Sequence, residues 1–145
     1  MRKVTGTVAR IISSAGLAGV SALHVVWASG SAWPARDKKR LAEAVIGSHG
    51  PMPGVAPTLV VAGGTAGAAF LAAGGGRDGR VQRFGLRALG TVMLMRALLG
   101  GGPALAAMGL PPAGGTFRRL DSRFYRPLTA LLGFALWLSS RAPKR

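Results

Sequence analysis

Apolar positions fall into four long runs separated by short basic clusters, and that alternation is the strongest signal in the chain. Between Arg10 and Arg36 lie 25 residues with no formal charge. That exceeds the roughly 20 helical residues needed to cross a hydrocarbon core of about 30 Å, and it predicts a first span over residues 8–32. Between Glu43 and Arg77, 33 residues are uncharged. Pro51, Pro53 and Pro57 confine regular helix to the second half of that stretch, placing a second span at 56–73. A third is expected at 84–101, with Arg87 near its start, Arg96 well inside, and Gly100, Gly101, Gly102 and Pro103 stopping it. The fourth, at 124–140, is apolar only from Pro127 to Ser140 and reaches across when Phe124, Tyr125 and a snorkelling Arg126 are included. The expected fold is all-α: one domain, 1–145, forming an integral membrane bundle of four transmembrane helices.

Composition sharpens this picture. Hydrophobic residues make up 49% of the chain and charged ones 16%, and 23 glycines are present. The net charge of +15 is spread over five clusters at roughly span-length intervals. Such a pattern suits loops that contact anionic lipid headgroups, and it argues against nucleic acid, which calls for one continuous basic patch. With four crossings, the side holding both termini carries ten Lys and Arg and the opposite side eight, so both termini are expected in the cytoplasm and the protein in the cell membrane. The basic start, apolar core and "ASGSA" also fit the form of a signal peptide. The apolar run is longer than an ordinary h-region, however, and His24 and Trp27 sit where small residues would lead to cleavage. A retained helix is expected.

Helical spacing then selects faces. Ser13, Gly16, Val20, His24 and Trp27 share one stripe of the first span, and Gly85, Leu89, Val92 and Arg96 one stripe of the third. His24 and Arg96 fall at similar depth, and the entry to the fourth span brings Asp121, Arg123 and Tyr125 to the same side. Hence His24, Trp27, Arg96, Asp121 and Tyr125 are expected to converge as a polar, ligand-binding cluster, with Asp121 as the main counter-ion of Arg96, because a charge at membrane depth needs a partner. Gly63 and Gly67 form a GxxxG seam for helix packing, inside the bundle or between copies in a homo-oligomer. Glu43 is expected to pair locally in the exposed string "RDKKRLAE", and His49 to be solvated in a Pro and Gly loop.

The chain has no Cys, no HExxH, no GxSxG and no P-loop. No catalytic residue, cofactor or metal site is expected. A membrane protein with a structural or lipid-binding and small-ligand-binding role is the leading reading. Its rivals are a small oligomeric transporter, which lacks a carboxylate at mid-depth, and an enzyme acting on lipid or quinone headgroups, which lacks a nucleophile.

The stretches "LHVVWASGSAW", "RALGTVMLMRA" and above all "FRRLDSRFYRPLTALLG" resemble a bacterial family of small four-helix membrane proteins, domain of unknown function 3995. The most specific part runs from Arg119 to Pro127. In that family the span-three arginine is commonly followed by Ala, an apolar residue, Gly and Asp. Here Arg96 and Ala97 are followed by Leu98, Leu99, Gly100 and Gly101, so no local acid is available and Asp121 is the nearby carboxylate. The resemblance implies the architecture and no established activity.

Overall fold

The uncharged stretch after Arg10 folds, as far as Ala28, within a single helix, α1 (Arg2–Ala28). The structure is a computed structural model that describes residues 2–47, 50–76, 79–107 and 109–141, with side chains from Val4 onward. His49, Arg77 and Asp78 lie outside the described residues. Next come α2 (Lys38–Ile46), α3 (Val55–Ala72), α4 (Gly79–Leu99), α5 (Gly101–Ala107) and α6 (Gly115–Leu120). A π-helical turn, Asp121–Tyr125, then leads directly into α7 (Arg126–Ser139). Every regular element among the described residues is helical.

α1 buries Ala9, Ser13 and Leu17 at four-residue spacing. The Ser13 hydroxyl lies 2.8 Å from the Ala9 carbonyl and 3.2 Å from Ser139 Oγ, which ties α1 to the end of α7. The helix stops where Gly30 takes φ 94°, a left-handed terminus that costs glycine little. It therefore ends four residues before the expected boundary at 32. α3 turns Thr58, Ala62, Ala68, Ala69 and Ala72 inward, and Pro57 sits in its first turn, where no helical N–H is lost. Ser21 Oγ donates to the Ala62 carbonyl at 2.8 Å, joining α1 to α3.

α1 packs chiefly on α3 and α7, and α4 on α7 and α3. The four long helical segments thus run up and down side by side, with α1 and α4 diagonal. Leu17, Ala68, Ala69, Ala72, Leu86 and Leu136 form the buried cluster where they meet. The closest approach is between α4 and α7: a Cβ on Gly90 would lie 2.9 Å from the Gly133 carbonyl oxygen, and one on Gly133 would lie 2.8 Å from that of Gly90. Within the chain the small-residue seam lies between α4 and α7, and Gly63 and Gly67 take no part in it. On Gly63 and Gly67 an added Cβ meets nothing within 4 Å; both face outward from α3 and pack against nothing within this chain.

The other boundaries differ for local reasons. α4 begins at Gly79, five residues early, because Arg80 and Arg83 extend it as a polar first turn. The glycine triplet does not end helical structure there. Gly100, at φ 80°, is an elbow, after which α5 leaves α4 at 111°. The last long segment starts at Gly115 rather than 124. Its π turn, in which the Arg126 N–H reaches back to the Asp121 carbonyl, ends two positions before Pro127. A proline has no N–H to give, and in a regular helix its ring would press on the carbonyl four residues back, that of Arg123; the widened turn gives it room.

At the elbow end, Asp37 caps α2 by accepting from the Arg40 N–H at 2.8 Å. Glu43 does not pair locally as expected: its carboxylate accepts from Thr116 Oγ1 at 2.8 Å, which lays α2 against α6. Two helices, Val4–Ala28 and Val55–Ala72, are long and apolar enough to cross a membrane, and α4 with α5 makes a third if the bent pair is one span.

Candidate functional site

Arg96 sits in the last turn of α4, and its Nη2 donates to Asp121 Oδ1 at 2.5 Å. The other carboxylate oxygen, Oδ2, accepts from the Gly101 N–H at 2.8 Å. One buried carboxylate therefore neutralises the arginine and caps the first turn of α5. Arg126, five positions along from Asp121, closes the arrangement from the other side. Its Nε donates to the Ala97 carbonyl at 2.7 Å and its Nη2 to that of Leu98 at 2.8 Å, placing a cation at the negative end of α4. The π turn sets both residues against α4, and so acts as the receiving half of a clasp.

The clasp needs its glycines. A Cβ on Gly101 would run into the Phe117 ring and lie 2.8 Å from Arg96 Nη2. Phe117 is buried, and its ring centroid lies 6.0 Å from that of Tyr125. Beside the clasp opens a cleft of about 530 Å³ lined by Gly101, Pro112, Phe117, Arg118, Asp121 and Arg126 among others. Arg118 is exposed. None of the three described carboxylates is directed at it, since Asp37 pairs with Arg40, Asp121 with Arg96, and Glu43 accepts from Thr116. The second terminal nitrogen of Arg96, Nη1, is buried with no protein acceptor. The segment from Arg118 to Arg126 carries four arginines and one carboxylate, whose two oxygens are both engaged. Such a site can receive an anion; it offers no spare base and no carboxylate for a cation.

Of the five residues expected to converge, Arg96 and Asp121 meet directly. Tyr125 stands one turn away and donates its hydroxyl to the Ala44 carbonyl of α2 at 3.0 Å. His24 and Trp27 form a separate group. His24 Nδ1 donates to the Val20 carbonyl at 2.8 Å, and the two ring centroids lie 4.9 Å apart. The Trp27 indole N–H goes to the Trp33 carbonyl at 2.7 Å, and Trp27 lines a different cleft, of about 510 Å³, with Lys38 and Lys39. A single five-residue cluster is therefore corrected to two sites, because α1 and α4 are diagonal rather than adjacent. Sequence pattern alone does not single out Arg126 and Gly101. The signal for Arg126 is a cation just before a proline opposite a helix end, and for Gly101 a glycine one residue past a sharp turn.

The profile of a family described as "Protein of unknown function (DUF3995)" matches residues 17–136. That stretch takes in the clasp, the π turn and both groups of polar residues. No curated protein and no solved structure matches the chain.

Proposed function

The chain belongs to the DUF3995 family, and from that membership and the geometry of the elbow we propose a four-span integral membrane protein that binds a phosphate-bearing amphiphile, a phospholipid headgroup, in the cleft beside the clasp. The role is structural and lipid-binding rather than catalytic. Four crossings are supported by four long antiparallel segments and by apolar side chains that face outward, such as Val60 at 74% exposure, Phe84 at 76% and Leu98 at 72%. Side chains of that kind belong against acyl chains. The fourth segment has the required length once α6 and the π turn are added to α7, and its arginines lie at the elbow end, within reach of headgroups. Ten basic residues against eight favour both termini in the cytoplasm of a cell membrane.

The observation that carries the ligand reading is the surplus of cations around Asp121. With Asp121 already bonded to Arg96 and Gly101, Arg118 faces the cleft with no carboxylate directed at it, next to Leu110, Pro111 and Pro112 as an apolar wall. A phosphodiester answers the guanidinium with paired acceptors, and its glycerol and first methylenes answer the wall.

The test is the thermal midpoint of the full chain in neutral detergent, with short-chain phosphatidylglycerol or phosphatidylcholine added. A ligand held by the folded state raises the midpoint in proportion to RT ln(1 + [L]/Kd). Phosphatidylglycerol should raise it more than phosphatidylcholine, and Arg118→Gln should weaken that response about tenfold in lipid concentration, the value of one charge-assisted contact. Equal responses to the two lipids, or an unchanged response in Arg118→Gln, would contradict the reading.

A further inference from the structure

The rim that carries the chain termini holds a second arrangement, built on Trp137. Its indole N–H donates to Thr91 Oγ1 at 3.1 Å, which fixes the ring between α4 and α7. Two guanidinium groups lie over that one ring, Arg87 at 5.5 Å and Arg141 at 5.8 Å from the centroid. Arg87 is also held by its Nε, which donates to Ser140 Oγ at 3.3 Å, and that hydroxyl donates to the Trp137 carbonyl at 2.7 Å. The indole face attracts each cation, but nothing described there offsets their mutual repulsion. The three described carboxylates, Asp37, Glu43 and Asp121, are engaged at the elbow end. Both arginines are exposed.

An apolar groove of about 340 Å³ runs between α1 and α7 toward the same rim, walled by Val8, Ile12, Leu131, Phe134 and Leu138 among others. Leu138 lines the groove one turn after Phe134, and the Arg141 N–H donates to the Leu138 carbonyl at 3.1 Å, so the groove ends beside the residue that carries the second guanidinium. Phe134 is 59% exposed and Leu131 53%, so the protein leaves this groove open.

We propose that the groove and the two arginines together bind one anionic phospholipid, with its phosphate shared by Arg87 and Arg141 beside Trp137 and one acyl chain lying between α1 and α7. The inference rests on the membrane-spanning reading but not on the elbow cleft. A phosphodiester accepts from two guanidinium forks at once and removes their repulsion. A tryptophan and arginines at a helix end stand at headgroup depth. A zwitterionic lipid has the phosphate and the chain, but it brings its own cation to a site that already holds two. Free phosphate answers the arginines and leaves the groove empty.

The experiment is native mass spectrometry of the full chain in detergent with mixed phosphatidylglycerol and phosphatidylcholine, in an Arg118→Gln background so that the elbow cleft does not contribute. One phosphatidylglycerol should be retained in preference to phosphatidylcholine. Arg87→Gln with Arg141→Gln should reduce retention at least about tenfold. Arg141→Gln alone should reduce it measurably; that residue lies beyond the last turn of α7, so the fold is spared. Phe134→Ala should weaken retention several-fold, and millimolar inorganic phosphate should not displace the lipid. Unchanged retention in the double variant, equal retention of the two lipids, or displacement by phosphate together with indifference to Phe134→Ala would each overturn the proposal.

Discussion

Arg96 and Asp121, 25 positions apart, form a partly buried ion pair in which the carboxylate also holds the first N–H after the elbow, that of Gly101. Removing either partner leaves a charge without its counterpart in a partly buried site beside the cleft, a loss of about 1–3 kcal/mol. Asp121→Asn and Arg96→Met are each expected to lower the unfolding free energy in detergent by that order. The double variant should recover part of the sum, because it removes the stranded charge as well. Strictly additive losses would show that the pair is not coupled.

Glycines test the packing with opposite signs. At Gly90 an added Cβ would meet the Gly133 carbonyl oxygen at 2.9 Å, and a backbone oxygen cannot swing aside. Gly90→Ala should therefore destabilise by about 1–3 kcal/mol through overpacking. At Gly64 the added Cβ meets nothing within 4 Å. Gly64→Ala should stabilise by about 0.5–1 kcal/mol through helix propensity alone. Thermal unfolding of the two variants beside the unsubstituted chain reads both, and equal shifts would contradict the close crossing of α4 and α7.

The parts of this structure that are legible in the sequence are those fixed by scarcity. Arg96 is the one formal charge well inside an apolar run, and Asp121 the one carboxylate that can return to it, so their pairing can be read from charge alone. The four long segments can be read from uncharged length. What stays hidden depends on adjacency and local backbone. Helical phase and depth place His24 level with Arg96, but they do not say that α1 and α4 face each other across a diagonal. The π turn ends two positions before Pro127, and with that widening Asp121 and Arg126 both bear on the end of α4. Gly63 and Gly67 carry the familiar spacing, while Gly90 and Gly133, on two different helices, make the close crossing and share no motif that a single helix would display.

The outward position of Gly63 and Gly67 leaves one part of the packing expectation as a proposal: a second copy of the chain approaching along α3. At neither glycine does an added Cβ meet another atom within 4 Å, so Gly63→Leu and Gly67→Leu should not lower the stability of the monomer and, as at Gly64, should each raise it by about 0.5–1 kcal/mol through helix propensity. If copies associate along this face, the same substitutions should shift the sedimenting species in detergent toward monomer. An unchanged distribution would remove α3 as an interface.

Four crossings with both termini on one side are the central claim, and accessibility of single introduced cysteines tests it most directly because the chain has none of its own. Arg36, Arg83, Pro111 and Arg141 are exposed and stand in the connection after α1, at the start of α4, in the connection before α6 and just past α7. In intact cells treated with an impermeant thiol reagent, Arg36→Cys and Pro111→Cys should be labelled, while Arg83→Cys and Arg141→Cys should react only after the membrane is permeabilised. Labelling of Pro111→Cys and Arg141→Cys from the same side would contradict the fourth crossing, and labelling of Arg83→Cys and Arg141→Cys in intact cells would reverse the orientation.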